Sequence, residues 1–301
     1  GQKTTVNIPK GSSLKTISRI LEENEVVRDQ RLFWTFVVLK GTQNNLKAGE
    51  YEFEAELTIE QIHEILIEGQ AKLVSITIPE GYTIKQISEV LAESKIVDME
   101  KFNALINDKN YIKEKLGFEV DSFEGFFFPE TYFFNKSESA EVIVETMVNK
   151  FFDVYRPLKN NNDLDLDLLE FVTYASIIER ETGVDSERTL VSAVIRNRLK
   201  KGMKIECDPT VIYALGDKYD GRLRRKDLKY VSPYNTYVIQ GLPIGPIANP
   251  GKESLHAALN PADVDYLYFV ATGDSDGSHY FSNNYRSHVN AVNRYIRNKK
   301  N

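Results

Sequence analysis

Two glutamates stand two residues apart at the end of one apolar segment, and either carboxylate could act as a general acid. Residues 168–182 contain neither proline nor glycine and are apolar at three- and four-residue steps, a spacing that predicts a helix with one buried face. Glu179 continues the buried stripe, following Ala175 by four residues and Val172 by seven. A carboxyl group there is expected to be partly desolvated, which favours the protonated form that a general acid needs near neutral pH.

Glu181 is expected to point away from Glu179, because two residues correspond to about 200° around a helix. The two carboxylates should therefore not share one small substrate site. Glu179 is a candidate for a catalytic acid and Glu181 is the second candidate, more suited to pairing with an arginine, but the helical pattern alone favours a structural role for Glu179. The alternative for Glu179 is a structural ion pair at the helix end, with an arginine such as Arg196 or Arg198.

The single cysteine, Cys207, is another candidate for chemistry, as the nucleophile of a peptidase or amidase with His279 or His288 as its base. A lone cysteine is more often a small core residue, and no helix N-terminus that would lower the pKa of the thiol is evident from the sequence. The four histidines are scattered without metal-ligand spacing, and the sequence contains no phosphate-binding loop. The sequence therefore predicts neither a metal nor a cofactor.

The composition is that of a soluble globular protein, since 42% of the 301 residues are hydrophobic and 27% are charged. This length predicts two or three compact units. A net charge of −6 argues against nucleic acid as a partner, because phosphate binding needs a basic surface. One cysteine excludes an internal disulfide framework.

No apolar run approaches the roughly 18 residues that a membrane span requires. The longest candidate, 32–39, is too short and is interrupted by Thr35. The chain starts with Gly1 rather than methionine, as a chain without its N-terminal signal or anchor would, so this end does not predict localisation.

A sixteen-residue segment occurs twice, as 6–21 and 76–91, at a constant offset of 70 residues. Each copy predicts a short strand, a Pro-x-Gly turn and a helix, with Ser13 and Thr83 as the N-caps. A second helix is predicted after each copy, and a further strand and helix lie between the copies; these elements cover about 30–40, 98–107, 51–53 and 58–68.

We predict an α+β fold, in which small duplicated strand and helix modules that resemble LysM precede a mixed α/β catalytic domain. The predicted divisions are 1–72 for the first module, 73–120 for the second and 121–301 for the catalytic domain. Glycan binding by the modules and a role as a simple spacer are both open, because a likeness of fold does not carry function.

An unusually aromatic segment, 122–134, opens the predicted catalytic domain. Aromatic rings stack on sugars, but the segment taken alone is better explained as a core strand that leads into a helix. The last third of the chain is rich in proline and glycine, which is typical of the rigid irregular backbone around active sites. The other predicted elements are helices over about 138–152, 184–201 and 284–298, a polar loop at 160–163, and a β-hairpin of 266–272 and 278–282.

Seven motifs then occur in order along the chain. They are Glu124–Tyr132 (EGFFFPETY), Ala175–Thr182 (ASIIERET), Ile195–Leu199 (IRNRL), Asp208–Tyr213 (DPTVIY), Ser232–Tyr237 (SPYNTY), Gly241–Pro243 (GLP) and Ala248–Gly251 (ANPG). In this order they resemble the MltG (YceG-like) family of endolytic peptidoglycan transglycosylases. The resemblance extends from about Ile76 to the C-terminus.

The resemblance implies a membrane-anchored enzyme on the extracytoplasmic side, with a LysM-like module before its catalytic domain. It implies cleavage between N-acetylmuramic acid and N-acetylglucosamine within nascent glycan strands, which leaves 1,6-anhydro ends. The family's catalytic glutamate falls on Glu179. The implied partners are glycan strands, together with penicillin-binding proteins and the machinery of cell elongation and division.

Family motifs and polar character suggest a set of supporting or sugar-binding residues, each of which could instead be structural. The set comprises Glu124, Glu130, Asn197, Asp208, Thr210, Tyr234, Asn235 and Tyr237. The chain departs from the family in having Glu206 where glutamine is frequent, and the first repeat copy has no family role that we can assign. A non-catalytic peptidoglycan-binding protein and a Cys207-dependent cell-wall peptidase are the alternative functions.

Overall fold

The computed structural model describes residues 3–69, 73–136, 138–158, 166–274 and 276–298. In this part of the chain, helices alternate with short strands that pair as β1-β2, β3-β4 and β5-β6, so the predicted α+β class is confirmed. The strands are β1 Lys3–Ile8, β2 Gly49–Glu54, β3 Leu73–Thr77, β4 Thr131–Asn135, β5 Tyr268–Ala271 and β6 His279–Ser282. The helices are α1 Leu14–Glu23, α2 Gln30–Lys40, α3 Ile59–Glu68, α4 Ile84–Ser94, α5 Met99–Ile106, α6 Lys109–Leu116, α7 Ala140–Tyr155, α8 Leu168–Glu181, α9 Arg188–Lys200, α10 Asp208–Leu215, α11 Lys252–Leu259 and α12 Tyr285–Asn298.

Both copies of the repeat fold in the same order, as a strand followed by two helices: β1, α1 and α2, then β3, α4 and α5. The Ser13 hydroxyl accepts a hydrogen bond from Thr16 N–H at the start of α1. The Thr83 hydroxyl accepts one from Gln86 N–H at the start of α4, at 3.3 Å. Both predicted N-caps are therefore confirmed, while the likeness of the modules to LysM stays a prediction.

The first of two compact units consists of Gly1–Ile76, Leu91–Phe102 and Thr131–Ile143. In its antiparallel sheet, Val6 of β1 lies opposite Tyr51 of β2, and both side chains are buried. The core of this unit is a cluster of aliphatic and aromatic side chains from these strands and from α1 to α3, among them Val6, Ile8, Leu21, Phe33, Val37, Tyr51, Phe53, Ile62 and Leu66.

The second unit consists of Thr77–Val90, Asn103–Glu130 and Val144–Asn301. Its central helix is α8, in which every residue from Phe171 to Ile178 is buried. Because α9, α10 and α11 all pack against it, the prediction of a single buried face was wrong in this respect. The three divisions predicted from the sequence stay predictions.

Three helices of the second unit were not predicted, namely α6, α10 and α11. The prolines and glycines of the last third of the chain predicted irregular backbone, but Pro209 lies in the first turn of α10, where a helix tolerates its missing N–H. The aromatic segment is a strand only from Thr131 onwards. Its earlier part is irregular backbone, because Gly125 has a φ of +89°, yet the ring of Phe126 is fully buried there.

The β-hairpin near the C-terminus is confirmed, with Tyr268 opposite Ser282 and Ala271 opposite His279. The helix predicted over 184–201 begins at Arg188, after a short 3-10 turn at 185–187. The polar loop predicted at 160–163 lies outside the described residues. No helix among the residues described combines the length and the apolar character needed to cross a membrane.

Candidate active site

The helix α8 carries both candidate glutamates at its C-terminal end. It starts with a capping box, in which the Asp167 side chain accepts from Glu170 N–H and the Glu170 side chain accepts from Asp167 N–H. It ends at Glu181, and Thr182 is already extended. The carboxylates of Glu179 and Glu181 enter different surroundings, as their separation of about 200° around the helix predicts.

Glu181 lines a cavity of about 440 Å³ in the second unit. The cavity is bounded by α9, by the segment that leads into α10, by the hairpin of β5 and β6, and by α12. Its polar lining includes Glu181, Arg198, Asp208, Tyr237, His279 and His288. The cavity is therefore lined by a carboxyl group, by a carboxylate that is hydrogen-bonded to a phenol, by a guanidinium group and by two imidazoles.

The surroundings of Glu181 favour its protonated form. Burial raises the pKa of its carboxyl to about 7, and the negative charge of Asp208 acts in the same direction. A hydrogen bond from the Cys207 thiol opposes the rise, because it stabilises the anion. With a pKa of about 7, this carboxyl can give up a proton and take one back near neutral pH, which is the requirement for a general acid and base.

Asp208 and Tyr237, two of the predicted supporting residues, lie together at this cavity. The Tyr237 hydroxyl donates to Asp208 Oδ1 at 2.6 Å, and burial together with this carboxylate raises the pKa of the phenol. Two further predicted residues, Thr210 and Asn235, form hydrogen bonds with the backbone beside this pair. Thr210 Oγ1 donates to the Cys207 carbonyl at 2.6 Å, and Asn235 Oδ1 accepts from Tyr237 N–H at 2.9 Å.

Cys207 lines the same cavity and, contrary to the sequence-based expectation, stands at the N-cap position of α10, although its side chain makes no capping hydrogen bond there. Burial and the neighbouring charge of Glu181 nevertheless raise the pKa of its thiol. A neutral thiol that donates to a carboxylate is a poor nucleophile.

Arg198 joins three parts of the cavity wall. Its Nε donates to the Leu267 carbonyl at 2.7 Å, and one terminal nitrogen donates to the Ile205 carbonyl at 2.9 Å and to Glu206 Oε2 at 3.0 Å. The guanidinium group also lies 5.0 Å from the ring centre of Tyr268. Glu206, which stands where the resembled family is expected to have glutamine, is thus a partner of this arginine.

His279 is held by a buried carboxylate. Its Nδ1 lies 2.7 Å from Glu187 Oε2, and its backbone N–H donates to Glu187 Oε1 at 2.9 Å. The side chains of His279 and Glu187 are only 15% and 11% exposed. The pair joins the first residue of β6 to the 3-10 turn that follows α8.

Glu179 belongs to a separate cluster. Its side chain is largely buried, as the helical pattern predicted, with 6% of its area exposed. Gly251 N–H donates to Oε2 at 2.9 Å, and a terminal nitrogen of Arg188 lies 3.8 Å from Oε1. The same nitrogen lies 3.9 Å from Glu80, and burial together with the charge of Glu179 raises the pKa of Glu80. The nearby arginine is thus Arg188 rather than Arg196 or Arg198.

Glu124 is the centre of a buried network that does not reach the cavity. Its Oε1 accepts from Ile84 N–H and from Asn249 Nδ2, each at 3.0 Å, and its Oε2 accepts from the Tyr213 hydroxyl at 3.2 Å. Burial raises the pKa of this carboxyl to about 7, although these hydrogen bonds oppose the rise. The network fixes the irregular aromatic segment against the start of α4 and the ANPG motif.

The remaining predicted residues do not line the cavity either. Glu130 pairs with Lys150 at 2.5 Å. Asn197 Nδ2 donates to the carbonyls of Val264 and Tyr266, at 2.8 and 3.0 Å, and so ties α9 to the segment before β5. The ring of Tyr234 packs on that of Tyr213, with 4.9 Å between ring centres. Each of these contacts can be explained by a structural role of the residue that makes it.

Sequence reasoning missed Glu187 and Tyr268 as parts of this region, and it considered Arg198 only as a partner of Glu179. Glu187 and its histidine are 92 residues apart, so no local spacing could connect them. The only sequence feature that could have drawn attention to Glu187 is its place beside Arg188, as one of two charged residues near the start of a predicted helix. Among the described residues, no group of three or more His, Cys, Asp or Glu side chains could hold a metal ion.

Comparisons with known proteins agree with the motifs. The model of the YceG-like family matches residues 6–294. A relative from Bacillus subtilis named endolytic murein transglycosylase is 35% identical, over 99% of this chain and 86% of the relative. One of the same name from Streptococcus pneumoniae serotype 2 is 28% identical, and the match spans 99% of this chain but only 59% of that protein.

A solved structure leads to the same family. The crystal structure of a YceG-like protein from Listeria monocytogenes is 34% identical in sequence, with a TM-score of 0.64 over 96% of this chain and 98% of that one. Since the family model covers residues 6–294 and the match to the Bacillus relative covers 99% of this chain, the chain belongs to the YceG-like family.

Proposed function

We propose that this protein is an endolytic lytic transglycosylase of peptidoglycan. It would cleave the bond between N-acetylmuramic acid and N-acetylglucosamine within nascent strands and leave 1,6-anhydro ends. The observation that carries the proposal is the carboxyl group of Glu181, with a pKa of about 7, in a cavity of about 440 Å³. The names of the Bacillus and Streptococcus relatives support the choice of substrate.

We further propose that Glu181, rather than the sequence-based choice Glu179, transfers the proton. Glu181 lies at the cavity next to Asp208 and Tyr237, and its pKa suits a general acid. Glu179 accepts a backbone hydrogen bond from Gly251 and lies at ion-pair distance from Arg188. Those contacts favour a structural role, in which Glu179 holds the end of α8 against the ANPG motif.

The mechanism needs one proton donor and an internal nucleophile. Protonated Glu181 gives its proton to the glycosidic oxygen as the bond to C1 of the muramic acid residue breaks. The 6-hydroxyl of the same residue attacks C1, and the carboxylate of Glu181 can accept its proton. A nucleophile within the substrate removes the entropy cost of positioning a water molecule, and it explains how one carboxylate can replace the usual two.

The test compares two isosteric variants of the same helix. Glu181→Gln removes the titrating proton and should lower the release of anhydromuropeptides from purified sacculi at least about a hundredfold, in line with the contribution of general acid catalysis. Glu179→Gln should keep most of the activity at equal folded fraction. Mass spectrometry of the digests is the measurement, because an anhydro end distinguishes this reaction from hydrolysis.

Opposite outcomes would reassign the site. A fully active Glu181→Gln enzyme with an inactive, folded Glu179→Gln enzyme would restore the sequence-based choice. A protein that pellets with sacculi but releases no product would be a glycan-binding protein instead.

We also propose that the enzyme acts on the extracytoplasmic side of the cell membrane. The family resemblance implies a membrane anchor and an association with penicillin-binding proteins and the elongation or division machinery, and both stay predictions. Co-purification of the protein from membranes with a labelled penicillin-binding protein would test the second of these.

A further inference from the structure

A second group able to transfer a proton lies in the same cavity as Glu181. His279 lines that cavity, and its Nδ1 faces Glu187 Oε2 at 2.7 Å. A carboxylate is an acceptor only, so the hydrogen of the neutral imidazole resides on Nδ1. Its other nitrogen, Nε2, is then an acceptor, and it has no hydrogen-bond partner among the residues the structure describes.

The pair is built as a fixed unit rather than as a chance surface contact. Both carboxylate oxygens of Glu187 are used on His279, one by the ring and one by the backbone N–H. The rings of Phe269 and Phe281 flank the imidazole, with centre-to-centre distances of 5.5 and 6.4 Å. These contacts fix the tautomer and orient the ring, as the carboxylate does in a Ser-His-Asp triad.

The pair also lies close to the end of α8. Glu187 follows Glu181 by six residues. On the other side, a Cβ built on Gly277, two residues before His279, would lie 3.8 Å from Cγ2 of Val184. The start of β6 therefore packs against the segment that leaves the helix carrying the carboxyl group.

We propose that His279 is a second catalytic residue of this site, whose Nε2, in place of the Glu181 carboxylate, accepts the proton of the 6-hydroxyl of the muramic acid residue, and that Glu187 is its positioning residue. This inference rests on the proposed function. In the step, O6 forms a bond to C1 and the bond from C1 to the glycosidic oxygen breaks. The proton of Glu181 goes to the departing oxygen, and the proton of O6 goes to His279.

The step leaves Glu181 ionised and His279 protonated, so one proton must pass from the imidazolium to the carboxylate to restore both groups. No net proton is consumed, and no oxidant, metal or cofactor enters the balance. Dividing the two transfers between two groups allows protonation of the leaving group and deprotonation of the nucleophile to occur in one transition state.

The central test removes one ring nitrogen and keeps the other. Asparagine at position 279 places its amide nitrogen near the position of Nδ1, so His279→Asn can still donate to Glu187 but has nothing in place of Nε2. We expect kcat on soluble uncross-linked glycan strands to fall about a hundredfold, with KM within about twofold and unchanged thermal stability. The matched control is His256→Asn on α11, an exposed histidine that does not line the cavity, which should retain full activity.

Two further measurements separate catalysis from a structural role. Glu187→Gln should lower kcat with little effect on KM, because the ring loses its fixed carboxylate partner. Added imidazole should restore activity to His279→Ala in a concentration-dependent way and leave the Glu181→Gln enzyme inactive. Such rescue would not occur if the histidine only tied β6 to the 3-10 turn.

The outcomes distinguish this inference from the proposed function. A His279→Asn enzyme with at least half the wild-type kcat would overturn the role of His279 and leave the transglycosylase assignment intact. A His279→Asn protein that does not fold, together with a folded Glu187→Gln enzyme of wild-type kcat, would overturn it as well. If the wild-type protein releases no anhydro product, the proposed function itself fails.

Discussion

At the scale of single residues, the difference between Glu179 and Glu181 comes from their neighbours. Glu179 faces a backbone N–H and an arginine, whereas Glu181 faces a thiol and a second carboxylate, Asp208. The thiol stabilises the anion of Glu181, and the charge of Asp208 destabilises it. These two neighbours should therefore shift the pH dependence of catalysis in opposite directions.

We expect kcat/KM to fall as the pH rises through about 7, because the pKa of Glu181 is about 7 and the acid must be protonated. Cys207→Ala removes the hydrogen bond that lowers the pKa of Glu181, so this limb should move to higher pH while the enzyme stays active at pH 7. The profile of initial rate against pH is the measurement. Complete loss of activity in a folded Cys207→Ala protein would instead support a cysteine enzyme.

Asp208→Asn should move the same limb to lower pH. The amide removes the negative charge that raises the pKa of Glu181, and its carbonyl oxygen can still accept the hydrogen bond from Tyr237. The measurement is again the pH profile of kcat/KM. A shift to higher pH, or none, would contradict the electrostatic account of Glu181.

At the scale of elements, the irregular segment that begins with the EGFFFP motif depends on one glycine. Gly125 has a φ of +89°, a region that side chains disfavour, and a Cβ there would lie 2.6 Å from Pro246 Cγ and 2.6 Å from Val172 Cγ1. The glycine thus lets the backbone of the EGFFFP motif pack directly on Pro246 and on Val172 of α8. Two separate constraints, backbone conformation and space, act at this position.

Gly125→Ala should destabilise the protein by about 2–4 kcal/mol, since it combines backbone strain with overpacking. Gly117→Ala is the matched control, because Gly117 has a φ of +84° but no atom within 4 Å of its Cβ position. It should cost only the strain, about 1 kcal/mol. Urea unfolding of both variants measures the difference, and equal losses would mean that the close approach at Gly125 contributes nothing.

At the scale of the whole molecule, buried carboxyls make the free energy of unfolding depend on pH. Glu124 is 6% exposed, and burial raises its pKa to about 7 in the folded protein. A carboxyl with a raised folded pKa binds more protons in the folded state than in the unfolded state between about pH 4 and pH 7. Its contribution therefore makes the protein less stable as the pH rises through that window.

Glu124→Gln should flatten this dependence, by about 3 kcal/mol at most between pH 5 and pH 8. Glutamine fits the network, because its Oε1 can accept from Ile84 N–H and Asn249 while its amide donates to the Tyr213 hydroxyl. The measurement is the free energy of unfolding by urea at several pH values, with the exposed Glu93→Gln as control. If the free energy of unfolding of the Glu124→Gln protein depends on pH as steeply as that of the wild type, this carboxyl does not cause the pH dependence.

Much of the fold was predictable from local patterns. The internal repeat, the N-caps Ser13 and Thr83, the C-terminal hairpin and most helix bounds depend on spacing and on residues near in sequence. The helices α10 and α11 were not predicted because they are short and because α10 has proline in its first turn and α11 follows a glycine, which are also the residues that mark turns. The burial of α8 on all sides was not predicted, because helices that pack against it, such as α10 and α11, lie far from it along the chain.

The sequence by itself determined the α+β class, the family and the helix that presents two glutamates in opposite directions, because each depends on residue order or helical geometry. Only the tertiary structure decided what those carboxylates meet. Glu181 meets Cys207 and Asp208, and His279 meets Glu187 from 92 residues away. The pKa of a carboxyl and the tautomer of an imidazole depend on burial and on charges within a few ångströms, and chain packing alone brings those groups together.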